Sequence, residues 1–153
     1  MKDINIKYPL GAVVCTSEFD PDKLWFQIDA IEIVETKDKI IVGYTDETYQ
    51  KLEAVQFDDI IDARCDDGDL WPDWDAIKKP SYGPEDHINL KSGKLDTVEL
   101  VCVTLRRGKN DDVTAEIEYW LYGADDPVSE ADIRCAVDVR ENVAGTATGA
   151  VTT

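Results

Sequence analysis

The sequence predicts a mainly β protein (β-rich α+β) of two antiparallel modules, and three observations carry that reading. Leu95–Leu105 is rich in Val, Leu and Thr, and after the polar turn Arg106–Asp112 the run Val113–Tyr122 alternates strictly. Val113, Ala115, Ile117, Tyr119 and Leu121 fall on one face of that run, the pattern of a hairpin with one buried side. Leu24–Val34 and Ile40–Thr45 make a second such pair across Glu35–Lys39. Between the two halves lies Asp58–Asp75, DDIIDARCDDGDLWPDWD, with eight aspartates, a single arginine and two tryptophans.

At 153 residues the chain is long enough for one ordinary domain or two small β modules sharing a core. In chain order, Lys2–Lys7 alternates, with Ile4 and Ile6 to one side, as a short edge strand does. Pro9 and Gly11 interrupt it, and Ala12–Thr16 is a brief apolar run. Ser17–Lys23 is a polar loop. In Leu24–Val34 the apolar phase changes at Ala30: Phe26 and Ile28 precede it in one phase, while Ile31 and Ile33 follow in the other. Such a switch predicts a bulge or a change of buried face. After the Ile40–Thr45 strand and the loop Asp46–Gln50, Leu52–Phe57 closes the first half.

This order of short strand, loop, long hairpin and closing strand resembles a small SH3-like barrel over residues 8 to 62, a likeness of pattern that carries no function. The expected division is residues 1–62 as the SH3-like module, 63–90 as an acidic, Trp-containing connection, 91–143 as an antiparallel β meander packed on the first module, and 144–153 as a flexible or partner-ordered tail. Ala76–Asn89, with Pro80, Gly83 and Pro84, reads as loop. Ser129 with Asp132 three residues on predicts one helical turn, and a strand follows from Ile133. The tail Ala144–Thr153 is mostly Ala, Gly and Thr.

Charge narrows function. Thirty-three acidic against sixteen basic residues leave a net charge of −17 and a pI near 4.2. Nucleic acid and anionic membrane surfaces repel such a chain, because binding them requires Lys and Arg on phosphate; basic partners are attracted to it. Solubility alone is the competing explanation of the charge. Eleven Lys and thirteen Ile do not suggest adaptation to high salt. The N-terminus has no apolar leader region and no run approaches a membrane span, so the expected setting is cytoplasmic.

Catalytic and metal motifs are not predicted. Cys15, Cys65, Cys102 and Cys135 are separated by 50, 37 and 33 residues, so no CxxC pair exists. Cys15, Cys102 and Cys135 lie in apolar runs, where a reduced thiol behaves as a small hydrophobe. His87 is the sole imidazole and has no nucleophile or ligand at motif spacing. Asp66-Asp67-Gly68-Asp69 invites a calcium reading, but placing Gly68 at the sixth loop position puts Ala63 first and Trp74 twelfth, and neither is a ligand. No cofactor is expected.

What remains is surface recognition. Asp58–Asp75 carries −7 of the −17, so the expected partner-binding residues are Asp58, Asp59, Asp62, Asp66, Asp67, Asp69, Asp73 and Asp75, with Trp71 and Trp74 as aromatic anchors. The competing role for the two tryptophans is to fold back and plug the seam between the halves. In composition the chain resembles small acidic proteins that mimic DNA against restriction or CRISPR machinery, the phage anti-defence type, and immunity proteins that neutralise nuclease toxins. That resemblance implies a non-enzymatic inhibitor occupying the basic, nucleic-acid-binding surface of a partner protein. The alternative is a structural subunit of a virion or other multimeric assembly that self-associates through edge strands and the tail.

Overall fold

A computed structural model describes residues 4–16, 25–47, 55–56 and 59–137. Its ten strands are antiparallel throughout, and the chain is mainly β. They are β1 (Val13–Cys15), β2 (Trp25–Gln27), β3 (Ala30–Glu35), β4 (Ile40–Thr45), β5 (Val55–Gln56), β6 (Asp62–Arg64), β7 (His87–Leu90), β8 (Leu95–Arg107), β9 (Val113–Leu121) and β10 (Ile133–Val137). Single 3-10 turns lie at Trp74–Ala76 and Glu130–Asp132.

The long strand β8 is the spine, and its composition explains why. Val98, Val101, Val103 and Leu105 are wholly buried on one face, and Cys102 and Thr104 are nearly so on the other, as expected of a central, β-branched-rich strand. One edge of β8 is shared: β7 pairs with residues 95–97 and β3 with residues 101–106. β9 takes the other edge from Val98 to Arg107. Glu99 is an extra residue in that ladder, between Val98↔Leu121 and Leu100↔Trp120. It is a bulge placed where β8 passes from one neighbour to the next.

The remaining strands form a small sheet in the order β2-β1-β6. This sheet covers the buried face of β3, β4 and β8, and the layer between holds Leu10, Val14, Phe26, Ile28, Ile31, Ile33, Tyr44, Val103 and Leu105. A second cluster, with Ile88, Val98, Tyr119, Leu121 and Ile133, lies at the β7 end of the spine.

The phase switch at Ala30 turns out to be a change of sheet rather than a bulge. The Ile28 N–H donates to Ala12 O in the small sheet (2.8 Å), and the next N–H, of Asp29, donates to Thr45 O in the large one (2.9 Å). Two consecutive residues thus bond to different layers, so the expected single strand is two, β2 and β3. For the same reason no sheet closes into a barrel among the described residues, and the SH3-like expectation is not confirmed. The hydrogen bonds of β3 that a barrel would have turned back on the first half run across to β8.

Both expected hairpins, β3–β4 and β8–β9, are present. So is the single turn followed by a strand at Ile133, where the Asp132 carboxylate accepts from the Ser129 N–H (3.0 Å) and hydroxyl (3.1 Å). Residues 87–89, expected as the end of a loop, instead begin β7 (His87–Leu90), joined to both β8 and β10. Ile4 and Ile6 are half-buried while Asn5 and Lys7 are exposed, yet residues 4–7 join no strand. The tail 144–153, the expected loop Ser17–Lys23, most of the expected loop Asp46–Gln50 and strand Leu52–Phe57, and Asp58 lie outside the described residues.

Candidate functional site

The acidic segment folds as three pieces in succession. β6 adds to β1 with Cys15 opposite Asp62, which places the start of the segment on the small sheet. The chain then turns at residues 66–69. The Asp66 N–H donates to the Asp69 carboxylate (2.7 Å), the Asp69 N–H donates to Asp66 O (3.1 Å), and the Asp67 N–H donates to Asp66 Oδ1 (3.1 Å). Aspartate suits this turn because its short carboxylate reaches backbone N–H groups that no ladder satisfies. The Leu10–Leu70 bridge, with two bonds of 2.9 Å, fixes the exit from the turn. Asp73 then caps the 3-10 turn, accepting from the Asp75 N–H (3.2 Å).

The two tryptophans separate. Trp74 is 8% exposed and belongs to the first core cluster, with the Lys79 ammonium 4.6 Å from its ring centroid. Lys79 also donates to Ile77 O (2.7 Å) and Trp74 O, so the ring and its lysine lock the segment onto the core. Trp71 is 57% exposed. Of the expected partner-binding residues, Asp59, Asp62, Asp66, Asp67, Trp71, Asp73 and Asp75 face solvent; Asp69 is half-buried and Trp74 is core.

Beside the 66–69 turn a cleft of about 590 Å³ opens. Leu10, Val13 and Ile28 are among its apolar lining residues, Asp29, Asp66, Asp69, Arg64 and Arg107 are the charged ones, and the exposed Cys65 also lines it. Arg107, from the end of β8, donates to Gly68 O (2.8 Å) and to Asp111 (3.0 Å), tying the turn to the β8–β9 hairpin. Arg64 lies 4.4 Å from the Trp25 ring centroid. Gly11 makes the approach geometrically feasible. Its φ is +100, and a Cβ there would sit 2.6 Å from Asp69 Oδ1, so only glycine fits. Gly11, Gln27, Asp29 and Arg107 come from three distant stretches of chain; nothing local in the sequence marks them as neighbours of the acidic turn.

Electrostatically the segment is uncompensated. None of Asp59, Asp62, Asp66, Asp67, Asp73 and Asp75 is ion-paired with a basic residue among the described residues, although Arg64 and Lys79 lie in and beside the segment over the Trp25 and Trp74 rings and Arg107 reaches the Gly68 carbonyl. The ion pairs that form lie elsewhere. Lys78 pairs with Glu130 (2.9 Å), Lys94 with Asp96 (3.6 Å), and Arg106 with Glu47 (2.7 Å) and Glu116 (3.5 Å). The Arg106 bonds hold the Glu47 carboxyl below its usual range. Glu32, nearby on the solvent side of β3, is raised by burial and by the charges of Glu47 and Glu118.

The other sequence candidates sit apart from this segment. His87 is exposed on β7, with Nδ1 2.8 Å from the Thr97 hydroxyl. Cys15 and Cys102 are buried, whereas Cys135 is exposed because β10 is an edge strand and buries only Ile133. The described His, Cys, Asp and Glu residues form no cluster able to hold a metal ion. No described helix is long and apolar enough to cross a membrane. Comparison with family models, with curated proteins and with solved structures finds no match.

Proposed function

We propose that this chain is a non-enzymatic, cytoplasmic acidic binding protein that occupies the basic, nucleic-acid-binding surface of a partner protein and so inhibits it. One observation carries the reading: among the described residues, the exposed carboxylates between Asp59 and Asp75 form no ion pair, although other acids of the chain do pair with Lys and Arg. Like charges held together on a rigid scaffold raise each other's energy, and a complementary surface relieves that cost. Carboxylates spaced along a strand and a turn offer such a surface what phosphates offer it. Trp71 supplies a large exposed ring that a partner can bury. The field of −17 charges speeds encounter with a basic protein at low salt.

The test uses Asp59, Asp67 and Asp75, whose carboxylates accept no hydrogen bond from the described residues, so that Asn at all three leaves the turn and its caps in place. A partner captured at low salt is expected to be basic and to be released from this protein by duplex DNA. The triple Asn variant should melt close to the parent and associate with that partner about tenfold more slowly at low ionic strength, within the range ascribed to steering. Affinity that stays constant as salt rises, or a triple variant that binds like the parent, sinks the proposal.

A further inference from the structure

The outer edge of β9 is open, and hydrogen-bond parity shows which of its groups are free. The Tyr119 N–H and C=O bond to Val128 (2.8 and 2.9 Å), on the side away from β8. Because a strand turns successive residues to opposite edges, Val113, Ala115 and Ile117 also point their N–H and C=O groups away from β8. At the hairpin tip, Gly108 donates to Asp112 (2.7 Å) on the inner side, which fixes the same parity from the other end. Past Tyr119 the edge is covered by Val128; from Val113 to Ile117 nothing among the described residues pairs with it.

We infer that this stretch of β9 takes up an extended segment of a partner protein as an added antiparallel strand, and that the segment alternates apolar and basic residues. The alternation follows from the two faces of β9. Val113 and Ile117 pack against the first core cluster, so residues opposite Val113, Ala115 and Ile117 meet apolar surface. Residues opposite Thr114, Glu116 and Glu118 lie over the solvent face, where Glu116 is 61% exposed and cross-strand partners of opposite charge stabilise the pair. Among the described residues, the cation that pairs on this face is Arg106, and it is already held by Glu47 and Glu116.

A second copy of this chain does not fit. An antiparallel β9–β9 contact that joins Val113 to Ala115 sets Asp112 against Glu116, one centred on Ala115 sets Asp112 against Glu118, and one joining Ala115 to Ile117 sets Glu116 against Glu116. Each such register opposes acid to acid, which is how edge strands are kept from self-pairing, while a cationic strand escapes that penalty. Main-chain bonds then give affinity and the alternate side chains give selectivity. The basic character of the occupant rests on the function proposed above; the open edge does not.

The probe is a short acetylated peptide alternating valine and lysine, with a valine–glutamate peptide as control. By NMR on the full chain, the amide protons of Val113, Ala115 and Ile117 are expected to exchange freely, and to slow by about tenfold or more under saturating lysine peptide only. Ala115→Pro removes one outward donor without touching the β8 ladder, since proline is tolerated where the N–H faces solvent. It should abolish that protection, whereas the triple Asn variant of the acidic segment should keep it. Lysine peptide that binds while those three amides exchange unchanged overturns the inference and leaves the acidic-surface reading standing. Protection that persists in Ala115→Pro also overturns it. If the captured partner binds the triple Asn variant normally but the β9 edge is protected, the acidic-surface reading fails and with it the basic character of the occupant, while strand addition at the β9 edge stands.

Discussion

Replacing Glu130 by Gln should cost stability in a pH-dependent way, because Glu130 joins three parts of the chain. Its carboxylate accepts from the buried Tyr119 hydroxyl (2.6 Å), the Ser81 N–H (2.9 Å) and the Lys78 ammonium (2.9 Å). The Ser81 N–H also reaches the Tyr119 oxygen (3.0 Å). β9, the loop after the acidic segment and the turn before β10 thus meet on one carboxylate. Burial works against its charge, but the donors outweigh that and hold its pKa down at about 2, against 4.5 ordinarily. Burial and the same carboxylate push the Tyr119 phenol upward.

A carboxyl whose folded pKa is depressed contributes stability above its unfolded value and loses it as pH falls toward the folded one. The window is therefore about pH 4.5 down to 2. At roughly 1.4 kcal/mol per pH unit the full interval amounts to about 3 kcal/mol. Lys78 is 73% exposed, so solvent screens part of this and about 1–2 kcal/mol is expected. Urea unfolding of the parent and of Glu130→Gln at pH 7, 5, 4 and 3 measures it. The difference between the two proteins is the relevant quantity, since the other carboxylates titrate in both. It should be about 1–2 kcal/mol at pH 7 and shrink steadily below pH 4.5. A difference near zero at pH 7, or one that stays constant down to pH 3, refutes this account of the network.

Two further substitutions separate the core part of the acidic segment from its exposed part. Trp74→Ala should cost about 3–5 kcal/mol, as truncation of a buried aromatic does, while Trp71→Ala should stay within about 0.5 kcal/mol because its ring is solvated; equal denaturation midpoints for the pair would contradict the placement of Trp74. Gly11→Ala forces a side chain into left-handed backbone and against Asp69. It should lower stability by about 1–3 kcal/mol in chemical unfolding, and a Gly11→Ala protein as stable as the parent would show that the cleft wall yields.

Much of the fold was legible from local pattern. The β8–β9 and β3–β4 hairpins, the single turn capped by Ser129 and Asp132, and the strand from Ile133 all follow from period-two alternation and turn chemistry, which act between near neighbours in sequence. The charge of Asp58–Asp75 is read directly from the sequence, and the exposure of Asp59, Asp62, Asp66, Asp67, Asp73 and Asp75 follows from it, since so many aspartates could not be buried together unpaired.

Tertiary structure decided the rest, because it depends on which distant groups share a layer. The apolar phase change at Ala30 is identical for a bulge and for a change of sheet, and only the bonds from Ile28 to Ala12 and from Asp29 to Thr45 distinguish them. His87–Leu90 became a strand through β8 and β10, despite the prolines before it. Trp71 and Trp74 are indistinguishable in composition, yet one faces water and the other the core, since the chain between them turns around the Asp73 cap. Gly11 and Arg107 reach the acidic turn from opposite ends of the sequence, and only the packing of the small sheet on the spine brings them there. Sequence by itself therefore determined the hairpins and the placement of charge. The layering of two sheets determined which part of the acidic segment faces solvent and which is core.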